Sequence, residues 1–359
     1  MWKPNKHLAL FPLLCLLSTL SGCDLPYYWQ AAHGQWDLIQ RKQPIDQLLR
    51  SAHTPDETKQ QLQYLLQARQ FALQQLALEH NDSYLEYVDL QREYVSWNVF
   101  ATPELSMQNH TWCYPIAGCV SYRGYFDEQD AQRYAEKMAQ QGFDTYIGGV
   151  GAYSTLGWFD DPVLSTFLQR GELALAALLF HELAHQVLYV QDDTVFNESF
   201  ATSVETILLS QWVKQQGLQA AWPAYEQALQ RHQAFTRLIL QHKERREALY
   251  QSEIGNQQKR IEKQKLIEAM QQNYAAFKQA WNDFKGYDDW FSAGLNNAQL
   301  STVATYHQLT PGFLALYGES DQNIATFVAE SRALTEQSKQ QRHEHLNHLA
   351  SANIVYTDN

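Results

Sequence analysis

Basic residues are in the minority in this chain of 359 residues, 27 Lys and Arg against 39 Asp and Glu, for a net charge of −12. An acidic surface repels phosphate backbones and anionic headgroups, which excludes nucleic-acid binding and electrostatic adhesion to anionic lipid. Glycine and proline are few, 16 and 10, beside 20 Tyr and 10 Trp. That balance excludes a turn-rich β architecture and predicts long helices joined by aromatic packing. Cysteine is scarcer still, with only Cys15, Cys23, Cys113 and Cys119, so no cluster of thiolates can build a zinc site. Long apolar runs are also missing apart from Leu8 to Leu20, which is too short to span a bilayer comfortably.

What is present is concentrated between residues 181 and 201. His181-Glu182-Leu183-Ala184-His185 puts two imidazoles on one helix face a turn apart, close enough to hold a single ion. Glu182 leaves the same helix beside them, where it can act on a water rather than on the metal. A third ligand has to come from elsewhere, and Glu198 follows after a connection long enough for the chain to turn back. Three protein ligands leave a position for water, the mark of a catalytic zinc site. An ordinary amphipathic helix could match the five-residue pattern by chance. However, Leu173 to Phe180 is apolar enough for a buried helix, where two His and a Glu are costly without a role. Asn197-Glu198-Ser199-Phe200-Ala201 opens a second apolar-periodic segment running to about Val213.

This pair of motifs resembles the gluzincin peptidases, in which two His of one helix and a Glu of the next bind zinc. The stretch from Phe196 to Ala201 is similar to the Asn-Glu-Gly-Phe-Ala segment of zinc aminopeptidases. Trp112 to Phe126, Gly151 to Phe159 and Asn296 to Leu316 extend the likeness to a family of bacterial predicted aminopeptidases, often lipoproteins. The resemblance implies an α+β, mostly helical, gluzincin-like zinc peptidase domain with a small β-sheet, acting on peptides with one zinc ion. Only twelve residues separate His185 from Glu198, where the better-known gluzincins have eighteen or nineteen. Glu205 sits at the longer spacing and on the same helical face as Glu198. Glu198 is preferred as the ligand because it occupies the matching position, and Glu205 then becomes a residue that orients a ligating His or a nearby Tyr.

Lys3 and Lys6 followed by Leu8 to Leu20 read as a secretion leader covering residues 1–22, with the peptidase domain over 23–359. Leu20-Ser21-Gly22-Cys23 resembles a bacterial lipobox, so Cys23 is expected to carry lipid and anchor the chain at the membrane. By the same likeness Asp24 suggests retention at the inner membrane, facing the periplasm. Losing the two lysines takes the net charge to about −14. Cys113 and Cys119, six apart with Pro115 and Gly118 between them, predict a small-loop disulfide in an exported protein.

Along the chain, residues 27–34 read as a short aromatic segment, 44–52 and 55–80 as helices, 94–101 as a strand and 129–141 as a helix ended by Gly142. Residues 143–153 read as extended, and Gly151, Ala152 and Tyr153 fall where related peptidases place the sheet edge that receives substrate backbone. From 219 to 285 polar residues dominate, predicting a solvated helical arm with a pair of helices turning near Gly255 and Asn256. Tyr306, with His307 second, is the candidate to stabilise the oxyanion of hydrolysis. Asp160, Asp161 or Glu104 could hold the free amine of a substrate. The expected chemistry is peptide hydrolysis by a zinc-activated water with Glu182 as general base, as an aminopeptidase. The rivals are a zinc endopeptidase and an inactive lipid-anchored scaffold.

Overall fold

The computed structural model describes residues 25–78, 81–114, 118–151, 160–303 and 308–357. Helix α1 (Leu25–Gln40) leads through β1 (Gln43–Pro44) and α2 (Ile45–Arg50) to the long α3 (Asp56–Leu76). Short strand β2 (Glu86–Val88) precedes β3 (Ser96–Pro103), the hairpin of β4 (Trp112–Tyr114) and β5 (Gly118–Val120), and β6 (Arg123–Tyr125). After α4 (Glu128–Gln140) come β7 (Phe143–Val150), β8 (Val163–Leu164), α5 (Ser165–Leu168), α6 (Glu172–Val187) and α7 (Thr194–Gln216). The rest is helical: α8 (Trp222–Gln251), α9 (Asn256–Ala280), α10 (Asp288–Ser292), α11 (Asn297–Ser301), α12 (Thr310–Glu319), α13 (Ile324–Thr335) and α14 (Lys339–Thr357). The chain is mostly helical with small sheets, an α+β molecule.

Strand content is split rather than gathered into the one sheet expected. One sheet has the order β1-β2-β8, with β2 and β8 parallel; a second has the order β6-β3-β7 and is antiparallel throughout, Ser96 facing Val150 and Pro103 facing Phe143. The β4–β5 hairpin pairs Cys113 directly with Cys119, and the two are joined as a disulfide. Where strand and helix limits were expected, they fall within a few residues. The aromatic segment at 27–34 is the exception, being part of a sixteen-residue helix.

Helix α6 is enclosed because it is apolar on nearly every side. Leu173, Leu175, Leu179, Phe180, Leu183 and Val187 are all buried, and the helix packs on α3 and α7. Trp212 of α7 fills the space against Phe71 and Phe180 and donates its indole N–H to the Tyr64 hydroxyl at 3.0 Å. On the other side of α7, Phe196 and Phe200 meet Phe313 and Phe327. Each such ring contributes roughly 1.5–3 kcal/mol by leaving water. Gly312 lets α12 approach α14, since a Cβ there would lie 2.2 Å from the Leu346 carbonyl oxygen.

The polar stretch after residue 219 is less solvated than its composition suggests. Helices α8 and α9 fold back on each other around a core of their own, in which Phe235, Ile239, Met270 and Tyr274 pack with Phe291 of α10. Polar bonds fasten this arm to the antiparallel sheet. Lys263 donates to Asp144 at 2.7 Å and to the Glu104 carbonyl at 2.9 Å, and the Asn297 amide donates to the carbonyls of Glu104 and Ser106.

The start of α7 is held by Asp193, which caps Phe196 N–H and receives the Arg342 guanidinium at 2.7 Å and the His343 ring at 2.9 Å from α14. Burial alone would raise its carboxyl, but Arg342 and His343 outweigh that and hold it below the usual range. A depressed folded value means that the stabilisation is present above the unfolded pKa and is lost as pH falls through the folded one. Asp193→Ala is expected to cost about 3–5 kcal/mol, because Arg342 is left buried without its partner. Urea unfolding of the two proteins at neutral pH and again at acid pH checks both the size and its disappearance.

Candidate metal centre

Two helices and the short connection between them build the site. On α6 the side chains of His181 and His185 lie one turn apart, ring centroids 4.9 Å from each other and planes near perpendicular. Leu188 ends the helix in an extended conformation, and the chain restarts at Thr194. Asn197 closes that connection by accepting from Val190 N–H and donating to Val190 C=O, both at 2.8 Å. Because the turn is this tight, Glu198 already faces α6 from the second turn of α7. The twelve-residue spacing therefore suffices.

Glu198 Oε2 lies 3.2 Å from His181 Nε2, and its Oε1 lies 3.7 Å from His185 Nε2. One ligand atom from each of His181, His185 and Glu198 falls within 4.8 Å of the other two. Glu205, two turns further along α7, takes the other side of the same ring: His181 Nδ1 donates to its Oε2 at 3.2 Å, and Tyr225 donates its hydroxyl to Oε1 at 3.4 Å. The two acids that competed for the third position are thus placed on opposite nitrogens of one imidazole.

Electrostatics follow from burial among acids. Burial works against a charged His181, but the hydrogen bonds to Glu198 and Glu205 and the charge of Glu182 outweigh it and lift the ring to about 10. Burial pushes Glu182 up to about 7; the His181 charge pulls it back, while Glu198, Asp161 and Glu205 push the same way as burial. His185 is lowered to about 4 by burial and by the His181 charge. It is neutral near pH 7, as a ligand must be. Its Nδ1 is buried with no hydrogen-bond partner among the described residues. Two imidazole nitrogens and a carboxylate oxygen form a donor set suited to zinc, and acidic neighbours raise the local demand for positive charge.

The other expected residues fall in several places. Gly151 follows β7, an outer strand of its sheet among the described residues, but its carbonyl is already taken by the Thr166 hydroxyl. Ala152, Tyr153, Tyr306, His307 and Cys23 lie outside the described residues. Among the candidate amine-binding acids, Glu104 is gripped by Arg260 on the arm at 2.9 Å, whereas the charge of buried Asp161 acts on Glu182.

Tyr84 was not foreseen. It is 3% exposed, has a left-handed backbone (φ 65°) rare for a bulky residue, and its hydroxyl has no partner among the described residues. Its N–H donates to the Asp161 carbonyl at 2.6 Å, and burial with the charges of Glu182 and Asp161 holds its hydroxyl protonated well above the ordinary range. Tyr122 and Tyr189, 42% and 53% exposed, also feel the Glu198 charge and bring aromatic surface to the same region. Tyr84 and Tyr122 reach the site through tertiary packing, and Tyr189 from the connection that follows His185.

A family model described as "Putative aminopeptidase" matches residues 26–346. No curated protein and no solved structure matches the chain.

Asn197→Ala removes both bonds to Val190, leaving that residue's amide without a partner and its carbonyl with only the 3.4 Å bond from Asp193 N–H, at a cost of roughly 1–3 kcal/mol. Urea unfolding is expected to register that loss, and a variant as stable as the parent would contradict the role given to this side chain.

Proposed function

From the premise that this chain belongs to the aminopeptidase family whose model it matches, we propose that it is a zinc-dependent peptidase acting from the amino end of peptides. The observation that carries this reading is the convergence of His181, His185 and Glu198, with ligand atoms within 4.8 Å of one another. These three residues would hold the ion. Bound zinc supplies a Lewis acid that lowers the pKa of water and polarises a carbonyl.

The chain's own groups do the rest. Glu182 takes a proton from the attacking water and returns it to the leaving amine. A carboxyl raised by burial is a stronger base than an exposed one, which favours taking the proton and returning it. Glu205 fixes the tautomer and orientation of His181 by accepting from Nδ1. With Glu104 committed to Arg260, Asp160 and Asp161 remain as candidates for the substrate's free ammonium. The lipobox-like Leu20 to Cys23 and the following Asp24 support a lipid-anchored location on the periplasmic face of the inner membrane.

The test pairs one variant with two substrates. Glu182→Gln is expected to retain zinc, measured by metal analysis, while losing at least about 100-fold in hydrolysis of an unblocked peptide, the scale of a lost general base. The parent enzyme should cleave the free peptide and spare its N-acetylated form. Full activity in Glu182→Gln would sink the mechanism, and equal cleavage of the acetylated peptide would make the protein an endopeptidase.

A further inference from the structure

Helix α1 is mounted in one orientation. Gln30 uses both ends of its amide on the β6 region, donating to the Gly124 carbonyl at 3.2 Å and accepting from Phe126 N–H at 3.1 Å. Gly34 presses against the Phe126 ring so closely that a Cβ would lie 2.1 Å from it. Leu38 is buried one turn on, and the Tyr27 ring stacks on Tyr114 beneath the Arg123 guanidinium. At about 100° per residue, Tyr27, Gln30, Gly34 and Leu38 share one face.

The opposite face is apolar and open. Leu25, Trp29 and Trp36 are 62%, 74% and 60% exposed. With Ala32, also exposed, they fall within about 60° of one another around the helix. No charged residue interrupts this stripe. Exposed single aromatics are ordinary on protein surfaces, but two Trp and a Leu aligned along one helix are not. Both grooves that border Trp29 also include Asp130 and Arg133, so charged groups flank the aromatic edge.

We infer that the Leu25, Ala32, Trp29 and Trp36 face of α1 lies in the headgroup region of the membrane that anchors the chain. The position of the helix supplies the occupant. It begins two residues after Cys23, so a lipid there would hold the start of α1 at the bilayer, with only Asp24 between them. Trp is favoured at that depth because its ring is apolar and its N–H finds polar partners. With a net charge of about −14 once the leader is removed, overall electrostatic attraction to anionic lipid does not serve as the second attachment. An apolar stripe can, and an anchor combined with a second contact is what makes membrane attachment stable. Among the described residues no helix is long and apolar enough to cross a membrane, so the contact is made along the surface. Such a contact would fix the orientation of the body on the membrane. This proposal rests on the lipid-anchored reading of Cys23 and is independent of the peptidase chemistry.

The full chain, reconstituted into phosphatidylethanolamine and phosphatidylglycerol vesicles with acyl chains brominated near the headgroups, supplies the test. Tryptophan fluorescence is expected to fall relative to unbrominated vesicles. Ala32→Asp keeps every tryptophan but places a charge inside the stripe, so most of that quenching should be lost while cleavage of a soluble peptide is unchanged. Mass analysis of the amino-terminal peptide establishes whether Cys23 carries lipid, and its absence would overturn the anchoring on which the contact depends. With lipid present, equal fluorescence in both vesicle types, or quenching unaffected by Ala32→Asp, would overturn the contact itself. A detergent-solubilised dimer that Ala32→Asp dissociates would also overturn it, assigning the stripe to a second copy of the chain.

Discussion

The grip of two carboxylates on one imidazole organises this molecule. His181 stands between Glu198 and Glu205, 3.2 Å from each, and can do so only if α7 lies against α6 in a single register. That register is set at the tight connection between the helices. Asn197 ties the turn to Val190, and Asp193 anchors the start of α7 to Arg342 and His343 of the last helix. The last helix thereby helps to place Glu198, five residues beyond the Asp193 that it holds from roughly 150 residues away in sequence. Phe196, Phe200, Phe313 and Phe327 fill the space between these elements and resist any sliding of α7.

Such an arrangement costs stability before it does anything useful. Glu198, Asp161 and Glu205 all press on the buried Glu182 carboxyl, and only the His181 charge pulls the other way. Buried like charges are unfavourable, and burial lowers the value of a lone proton as compensation. A divalent cation held by His181, His185 and Glu198 would offset that crowding of negative charge. The Nδ1 of His185 and the hydroxyl of Tyr84, the latter on a left-handed backbone, sit in the same neighbourhood without hydrogen-bond partners among the described residues.

The parts of the site that were legible in sequence are those whose geometry is local. His181, Glu182 and His185 share one helix, so their spacing alone places them. Glu198 and Glu205 both face α6; the motif position favoured Glu198, and the tight turn held by the Asn197 bonds to Val190 supplies the physical reason that the shorter spacing suffices. Tyr84 comes from a separate segment and carries no motif, while Tyr122 and Tyr189 lie within the family-like stretches but have no chemistry that singles them out. The first helix is not legible in the sequence for a different reason. Its inward face is made of Gln30 and Gly34, while its Trp side chains point outward, which inverts the pattern by which amphipathic helices are recognised. The arm looked solvated because its core is small and its other attachments, through Lys263 and Asn297, are polar.

The central claim is that His181, His185 and Glu198 hold one zinc ion between them. Diffraction from crystals of the zinc-loaded protein, recorded on either side of the zinc absorption edge, tests it directly. One anomalous peak within coordination distance of His181 Nε2, His185 Nε2 and the Glu198 carboxylate is the expected result. A peak elsewhere, or none at these three side chains, would contradict the account.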